Sequence, residues 1–583
     1  MRLLLEKTIN YIERKYRPGN IIVVEAPTGY GKTVSAPLIH KVLYERGFSY
    51  NIIQVLPLRS IIEDFYLCKL VQSYGIRIES CRGGPPQELV KTLYGLGLSW
   101  SDIAYQMGEQ LLRIKSLKNI VRKEPLYDAK YVVTTFDSFA YNFLRIPITE
   151  IFKARKHYAI PRLRLFTSTT IFDEAHILLK EGVDQATFTT ILEFVIKYMV
   201  EAKTPLIIMS ATLSSHMKNL FSKWSSNKIV FLRIGNENKE NEKELIVRDK
   251  EYEEQVSNIK WFTKITGKDQ ISSIVSDNVQ QGRRVLIVRY RVRDAIETYQ
   301  ALSNTLGQDN IVLIHGKLDH FDRSKALNNA HRASIVVATS IIEAGVDWSF
   351  ETLITDHKDV LSIIQQAGRI CRHFKDTCEA EIYLVESSDN KEFIGKIKEI
   401  ANRYGIEWRL PYDRIVNGKK QVGISTLIEK CSYPVQYSRG DEEYWDLLRL
   451  TTPLFIPYGL INNILKKYHY SLVRTTLTQV VTEPKALEDL DNNIYDYVLT
   501  ISFSELANKY RSQIDKLVSI GRKENELKII LCEDVGKNIT LNKYIEFVSK
   551  TYSKAYEEGV MPVFTGFVLK EGAYKRGVGL VNW

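Results

Sequence analysis

The sequence predicts an α/β protein in which two doubly wound parallel sheets follow one another along the chain. Short uninterrupted runs of Val, Ile and Leu mark strands buried on both faces, and segments with helical character separate these runs. The runs of the first half are IIVVEA, YNIIQVLP, YVVTTF, STTIFDEA and PLIIMSATL; those of the second half are RRVLIVRY, NIVLIHGKL, ASIVVATSI, FETLITDH and EAEIYLVES. Functional loops of such sheets gather at the carboxyl ends of the strands, so the site is expected there.

This pattern predicts three regions. Residues 1–240 would form the first lobe, with a helical insertion at about 71–130, and residues 241–390 would form the second lobe. The segment GNENKENEKELIVRDKEYEEQ, dense in charges of both signs, is typical of an exposed connection near the boundary between the lobes. The parallel-sheet pattern then fades, and residues 391–583 are assigned to an accessory domain whose fold the sequence does not indicate.

The composition is typical of a soluble globular protein with a polyanionic partner. The 583 residues carry a formal net charge of +11 and a sequence pI near 9.0, which favours nucleic acid. Charges interrupt every apolar run, so neither a signal peptide nor a membrane segment is expected. The six cysteines are scattered, as in proteins of the reducing cytoplasm. Cys371 and Cys378 enclose His373, but this group lacks a fourth ligand for zinc.

The first strand runs directly into a pattern typical of a phosphate-binding loop. The pattern G-x-x-x-x-G-K-[ST] is met, except that alanine replaces the first glycine, where it still permits a tight turn. Backbone amides can cradle a diphosphate at the start of the following helix, Lys32 would reach the β and γ phosphates of ATP, and Thr33 would ligate Mg²⁺. The alternative is a glycine-rich turn without a ligand. The expected nucleotide-binding residues are Ala26, Pro27, Thr28, Gly29, Tyr30, Gly31, Lys32 and Thr33.

Two adjacent carboxylates supply the other half of a phosphate-loop site. In the segment FDEAH, Asp173 follows an apolar strand, so it emerges at the carboxyl end of the sheet where Mg²⁺ would lie. Glu174 would then orient and deprotonate the water that attacks the γ phosphate. Acidic residues also serve as helix N-caps, but that alternative explains neither the pairing with the loop nor the presence of His176.

The order and wording of the motifs resemble superfamily 2 helicases. The segments EAPTGYGKT, VTTFDSF, FDEAH, MSATL, TSIIEAGVDW and QQAGRICR follow one another as in that superfamily. The combination of T-x-x-x-E-A-G-V-D with Q-x-A-G-R is similar to the CRISPR-associated helicase of type I interference. The resemblance covers about residues 20–390.

The resemblance implies two RecA-like lobes and specific roles for individual residues. Gln365, Arg369 and Arg372 would form an arginine-finger motif that reaches the γ phosphate when the lobes close, and Asp347 would contact the nucleotide. The residues expected to couple hydrolysis to nucleic-acid binding are His176, Ser210 and Thr212. The residues expected to contact the nucleic-acid backbone are Arg59, Thr134, Thr135, His315, Arg323 and Thr339.

The resemblance also implies a substrate and partners. It implies an ATP-dependent motor that moves 3′→5′ on single-stranded DNA after a CRISPR RNA-guided surveillance complex has opened the target. The alternative is another superfamily 2 enzyme, acting in DNA repair or on RNA, because backbone contacts alone do not separate DNA from RNA. An ATP-gated clamp that never translocates is disfavoured by the full hydrolytic set of residues.

The chain departs from the family pattern in three ways. Many members carry an HD nuclease, but none of the ten histidines here is followed by aspartate, so the nuclease is expected on a separate subunit. Gln366 and Cys371 replace an arginine and a glycine of the last motif. No glutamine precedes Gln54, so the upstream glutamine that reads adenine in many relatives is missing, which leaves the base selectivity open.

Overall fold

The computed structural model describes most of the chain. None of the described helices combines the length and the apolar character that crossing a lipid bilayer requires. Sheets of nine, six and five strands follow one another along the chain, with two short two-stranded pairs beside them. The described residues are 1–78, 81, 84–107, 122–147, 159–179, 185–307, 310–342, 348–373, 377–431, 440–451, 458–468, 472–473, 477–488, 490, 492–524, 526–536 and 539–580.

The nine-stranded sheet forms the first lobe and confirms the predicted doubly wound parallel sheet. Its strands are β1 (Ile21–Glu25), β2 (Asn51–Leu56), β3 (Ile103–Gln106), β4 (Tyr131–Thr135), β5 (Ser168–Phe172), β6 (Leu206–Ser210), β7 (Ile229–Ile234), β8 (Lys239–Glu240) and β9 (Glu244–Val247). They lie in the order β3-β4-β2-β5-β6-β1-β7-β9-β8, and every pair except β8 with β9 is parallel. Ile21 and Val23 pack into one core while Ile22 and Val24 pack into another, so this strand is buried on both faces.

Helices cover both faces of this sheet. They are α1 (Leu3–Lys15), α2 (Lys32–Glu45), α3 (Arg59–Asp64), α4 (Gln87–Gly95), α5 (Phe136–Phe143), α6 (Ala159–Phe166), α7 (Gln185–Glu201) and α8 (Ser215–Trp224). A further helix, α9 (Lys250–Ser257), leads from this sheet to the next. The side chain of Asp249, just before this helix, accepts a hydrogen bond from the Tyr252 amide and so caps the helix.

The six-stranded sheet forms the second lobe and is parallel throughout. Its strands are β10 (Ile259–Thr266), β11 (Val285–Val288), β12 (Ile311–Ile314), β13 (Ile335–Ala338), β14 (Thr352–Thr355) and β15 (Cys378–Val385), in the order β10-β15-β14-β11-β13-β12. Its helices are α10 (Ile271–Gln280), α11 (Val292–Leu306), α12 (His320–Ala330), α13 (Val360–Ala367) and α14 (Lys391–Tyr404). The sequence did not predict β10, because this edge strand alternates buried with exposed residues instead of forming an apolar run.

Several segments of the chain differ from the expected organisation of the lobes. The first sheet continues to Val247, past residue 240. The described part of the expected helical insertion at 71–130 contains α4 but also the edge strand β3. Helix α14 packs on the second sheet, as does α15 (Ile424–Cys431), which follows the short pair β16 (Arg414–Val416) and β17 (Lys419–Gln421). The helices α16 (Asp441–Thr451) and α17 (Tyr458–Lys467) instead return to the core of the first lobe.

The five-stranded sheet forms a C-terminal domain of mixed strand direction. Its strands are β18 (Leu477–Val481), β19 (Val498–Ser502), β20 (Ile514–Lys523), β21 (Glu526–Asp534) and β22 (Met561–Leu569), in the order β19-β18-β22-β20-β21. The helices α18 (Phe503–Lys509) and α19 (Leu541–Glu557) accompany it. The chain then forms a small pair, β23 (Tyr574–Lys575) with β24 (Gly579–Leu580), called the C-terminal hairpin below.

Four cysteines form two disulfide bonds, which corrects the expectation of scattered thiols. Cys68 bonds to Cys81, and Cys371 bonds to Cys378, with Cα atoms 5.2 and 6.1 Å apart. These separations lie in the ordinary range for a disulfide. Within the described ranges, no group of three or more His, Cys, Asp or Glu side chains is arranged to hold a metal ion.

Candidate active site

The predicted phosphate loop lies between β1 and α2. Gly29 and Gly31 adopt φ angles of +82° and +98°, a region in which residues with a Cβ atom are strained. Gly31 is the N-cap of α2, so the first amides of that helix face the loop. Tyr30, between the two glycines, is buried; its hydroxyl accepts from the Leu4 amide at 3.1 Å and donates to the Asp249 carboxylate. The loop is therefore held by α1 on one side and by the cap of α9 on the other.

The Lys32 side chain curls back over its own loop. Its ammonium donates to the carbonyl oxygens of Ala26 at 2.8 Å and Pro27 at 3.2 Å. It also lies 3.4 Å from Oε1 of Glu174. The buried ammonium of Lys32 thus joins the loop to the carboxylate pair, because it is attracted by the carbonyl oxygens on one side and by the Glu174 carboxylate on the other.

The carboxylate pair lies at the carboxyl end of β5, as predicted. The Asp173 amide donates to the Val55 carbonyl at 2.9 Å, which keeps the chain in register with β2 beyond the strand end. Burial and the neighbouring charge of Glu174 raise the pKa of Asp173 to about 6. Burial acts to raise the pKa of Glu174 as well, but the charges of Lys32, His176 and Arg369 together with the hydrogen bond from Lys32 outweigh it, so the pKa is lowered. The two carboxyl groups are thus shifted in opposite directions.

The residues expected to hold Mg²⁺ lie together and fit that ion. Thr33 lies close enough to Asp173 to act against the rise in the pKa of that carboxyl, and oxygen ligands of this kind suit Mg²⁺. Opposite them, the buried Oε2 of Glu174 accepts no hydrogen bond from any described residue and lies 3.5 Å from Nδ1 of His176. The site therefore combines two oxygens that suit a metal ion with a carboxylate held between Lys32 and His176.

Sequence reasoning missed Gln54, which connects both halves of this site. Its side-chain amide donates to the Thr33 carbonyl at 3.1 Å and to Oδ2 of Asp173 at 3.4 Å, while the Tyr131 hydroxyl donates to its oxygen. A signal was present: Gln54 is the polar residue inside the apolar run IIQVL of a strand that has neighbours on both sides. A buried amide in that position requires partners, and here it finds them in the site.

The arginine-finger motif of the second lobe approaches the loop directly. A methyl group added at Gly29 would lie 3.4 Å from Nη2 of Arg372, so this guanidinium rests against the loop glycine. A methyl group added at Gly368 would lie 3.4 Å from Cβ of Thr28. Arg369 is buried, and its charge contributes to the lowered pKa of Glu174. Asp347, the other nucleotide contact expected from this lobe, lies outside the described residues.

His176 connects three of the predicted motifs. Its Nδ1 accepts from the Ala211 amide at 3.2 Å and lies 3.3 Å from Oγ of Ser210. Its Nε2 meets the side-chain amide of Gln365, which belongs to the second lobe. The hydroxyl of Thr212 donates to the Ala211 carbonyl at 2.7 Å and stays within its own turn. The imidazole is thus a bridge between the lobes.

Several residues expected on nucleic acid use their polar groups inside the protein. The Thr134 hydroxyl, fully buried, donates to the Gln106 carbonyl at 3.0 Å, and the Thr135 hydroxyl caps α5. Thr339 is also buried, whereas Arg59 is partly exposed at the start of α3. Their contacts with a nucleic-acid backbone remain predictions.

His315 and Arg323 face the C-terminal domain. The fully buried His315 ring pairs through Nε2 with the Val578 carbonyl at 2.9 Å, and Arg323 donates to the Leu318 carbonyl at 3.1 Å. The neighbouring Asp319 bonds Arg576 through the same carboxylate oxygen that accepts from Thr482. The C-terminal hairpin therefore covers the motif that is expected to touch nucleic acid, and no local sequence pattern indicates this long-range contact.

The fold and site define a class of protein. Two parallel α/β lobes, a phosphate loop with a carboxylate pair on one lobe, and arginines reaching that loop from the other lobe are the architecture of superfamily 2 helicases. Residues 281–375 match the family model described as CRISPR-associated nuclease/helicase Cas3, C-terminal.

Two curated relatives are also named Cas3. The CRISPR-associated nuclease/helicase Cas3 of Streptococcus thermophilus is 23% identical over 411 residues, which are 64% of this chain and 41% of that protein. The CRISPR-associated helicase Cas3 of Thermoproteus tenax is 22% identical over 388 residues, which are 65% of this chain and 58% of that protein. The chain thus matches about half the length of these relatives. Together with the motif order, these matches show that the chain is similar to the Cas3-type superfamily 2 helicases.

Solved structures agree on the fold. T. fusca Cas3 with AMPPNP aligns with a TM-score of 0.56 at 14% identity, covering 88% of this chain and 65% of that one. A chain of a CRISPR RNA-guided surveillance complex in a pre-nicking state aligns with a TM-score of 0.50 at 14% identity, covering 88% and 64%. At this identity the likeness concerns the fold alone, which consists of two RecA-like lobes followed by a C-terminal domain.

Proposed function

We propose that this chain is an ATP-dependent helicase and translocase that moves 3′→5′ on single-stranded DNA in type I CRISPR interference. One observation carries the ATPase part of the proposal. Arg372 of the second lobe rests against Gly29 of the phosphate loop, while Lys32 and Glu174 face each other across the same site. Hydrolysis at such a site depends on how the two lobes are arranged, which is the requirement for a motor.

The residues divide the chemistry of ATP hydrolysis among them. Lys32 would leave the loop carbonyls and bind the β and γ phosphates. Mg²⁺, held by Thr33 and Asp173, would neutralise phosphate charge. Glu174, whose pKa is lowered beside Lys32, would accept the proton of the attacking water.

The arginines would act on the charge that develops in the transition state. Arg369 and Arg372 approach the site from the second lobe. An arginine finger contributes about 10³- to 10⁵-fold in rate in well-studied phosphate-loop enzymes. Closure of the lobes would therefore switch hydrolysis on, and opening would switch it off.

The nucleic-acid substrate and the partners rest on the family. Net charge of +11 favours a polyanion, and the related chain in a surveillance complex supports recruitment by a CRISPR RNA-guided complex. Because no histidine is followed by aspartate, target cleavage would fall to a separate HD nuclease subunit.

The test is phosphate release with single-stranded DNA, single-stranded RNA or no nucleic acid. We expect stimulation by DNA, and displacement of a duplex strand when the loading overhang is 3′ but not 5′. Lys32→Ala should abolish ATP binding, whereas Lys41→Ala, on the same helix but paired with Glu45, is the matched control. Glu174→Gln should bind ATP without turnover. Hydrolysis indifferent to nucleic acid, or normal turnover by Glu174→Gln, would contradict the proposal.

The separate nuclease has its own test. The purified chain with Mg²⁺, Mn²⁺ or Ni²⁺ should leave single-stranded DNA intact, and an HD nuclease should co-purify with the chain from its native cell. Metal-dependent cleavage by the chain alone would place the nuclease within it instead.

A further inference from the structure

A cavity of about 1160 Å³ opens directly beside the phosphate loop. Its walls come from the N-terminus of the chain, the loop itself, the connecting helix α9, and the arginine-finger segment of the second lobe. Binding sites for small molecules measure about 300–1,000 Å³, so this space is ample for a nucleoside. Gly29 of the phosphate loop and Arg372 are among its lining residues, so the phosphates would lie on that side of it.

An arginine and a glutamine, Arg2 and Gln255, also line the cavity. The Arg2 guanidinium lies 5.0 Å from the ring centre of Tyr252 and 5.5 Å from that of Tyr30. The two tyrosine rings meet edge to face at 5.3 Å. Arg2 also donates to Oε1 of Gln255 at 3.0 Å. This arrangement fixes the guanidinium plane and the glutamine amide at the cavity wall.

Two further side chains shape the wall of the cavity. Tyr252, on α9, is 5% exposed, and its ring packs edge to face on that of Tyr30 in the phosphate loop. Arg409 also lines the cavity and donates through Nη2 to the carbonyls of Gly368 and Ile370, so it is anchored on the arginine-finger segment. The cavity is therefore bounded by both lobes and by the helix that connects them.

We propose that Arg2 and Gln255 bind the nucleobase of the nucleotide and select adenine, an inference that rests on the proposed ATPase function. Adenine presents an amino donor at N6 beside an acceptor at N7, and a glutamine amide matches this pair with one acceptor and one donor. The Gln255 oxygen has a second lone pair beyond the one used by Arg2. Guanine presents two acceptors on the same edge, so one of them would oppose the amide oxygen.

The guanidinium of Arg2 supplies the stacking surface. Its planar, weakly hydrated group stacks on aromatic rings, and it already lies against two of them. Gln255 belongs to the helix that connects the lobes, so the base would be read by the connection rather than by a residue upstream of the loop. This accounts for a phosphate loop with no glutamine before Gln54.

The experiment is a hydrolysis panel with ATP, GTP, CTP and UTP in the presence of single-stranded DNA. The wild type should prefer ATP to GTP by about 5- to 100-fold in kcat/KM, the discrimination expected of one bidentate pair. Gln255→Ala should remove most of this preference by raising the KM for ATP, with kcat nearly unchanged. Arg2→Ala should raise the KM for all purine nucleotides. Gln280→Ala, an exposed glutamine outside the cavity, is the matched control.

The outcomes separate this inference from the function on which it rests. If the wild type hydrolyses no nucleotide, the proposed function fails and the inference with it. If the wild type is an ATPase but Gln255→Ala keeps its ATP to GTP ratio, the inference alone is wrong. Gln255 is exposed, so its loss should leave the melting temperature unchanged and keep this comparison valid if Arg2→Ala fails to fold.

Discussion

The imidazole bridge between the lobes gives the sharpest mechanistic prediction. Replacing His176 with alanine removes its contact with Gln365 of the second lobe, along with the acceptor of the Ala211 amide. A buried polar group that loses its partner costs about 1–3 kcal/mol. Of the hydrogen bonds described for His176, the one with Gln365 crosses the lobes. The free energy of closure should therefore weaken by that amount, or about 5- to 150-fold in the ratio of closed to open forms.

The measurement is a double-mutant cycle on DNA-stimulated phosphate release. His176→Ala and Gln365→Ala should each lower the stimulated rate, and the double variant should be no worse than the poorer single one. Residues in direct contact show interaction energies of about 0.5–3 kcal/mol in such cycles. His216→Ala is the control, because His216 is an exposed histidine of α8 in the same lobe and its loss should leave the stimulation intact.

Additivity would refute this reasoning. If the double variant loses the product of the two single losses, His176 and Gln365 act independently and the bridge does not couple the lobes. Loss of basal as well as stimulated hydrolysis in His176→Ala would likewise point to a disturbed first lobe instead of a lost interlobe contact.

Three further predictions concern the scaffold around the site. Tyr30→Phe removes a hydroxyl that donates to the buried Asp249 carboxylate, so the free energy of unfolding in urea should fall by about 1.5–3 kcal/mol; an unchanged midpoint would contradict the anchoring role. Burial lowers the pKa of His315 to about 4, below its ordinary 6.5. The stability that neutral His315 contributes is therefore complete above pH 6.5 and is lost as the pH falls towards 4. Melting temperatures of His315→Gln should depend less on pH across this range than those of the wild type. Cys371 and Cys378 should resist alkylation until a reductant is added, and peptide mapping that finds them as free thiols would refute the disulfide.

The sequence by itself determined the two parallel sheets and predicted most residues of the candidate site. Strands buried on both faces are uninterrupted apolar runs, so β1, β2 and β5 could be read directly. The phosphate loop and the Asp173 and Glu174 pair are contiguous segments at strand ends, and parallel strands bring their carboxyl ends to one edge. Local pattern and topology therefore suffice to bring Lys32 and Glu174 together.

Only the tertiary structure decided which distant groups complete the site. Arg2 and Gln255 are 253 residues apart, and Arg372 meets Gly29 across the cleft between the lobes. The C-terminal hairpin covers His315, a residue whose motif predicts a contact with nucleic acid. Such pairings depend on how whole lobes dock, and docking is set by side-chain packing between surfaces whose sequences carry no mutual pattern. The sequence thus predicts the residues around the phosphates. The proposed base contacts of Arg2 and Gln255, and the cover of His315 by the C-terminal hairpin, follow instead from the packing of the lobes.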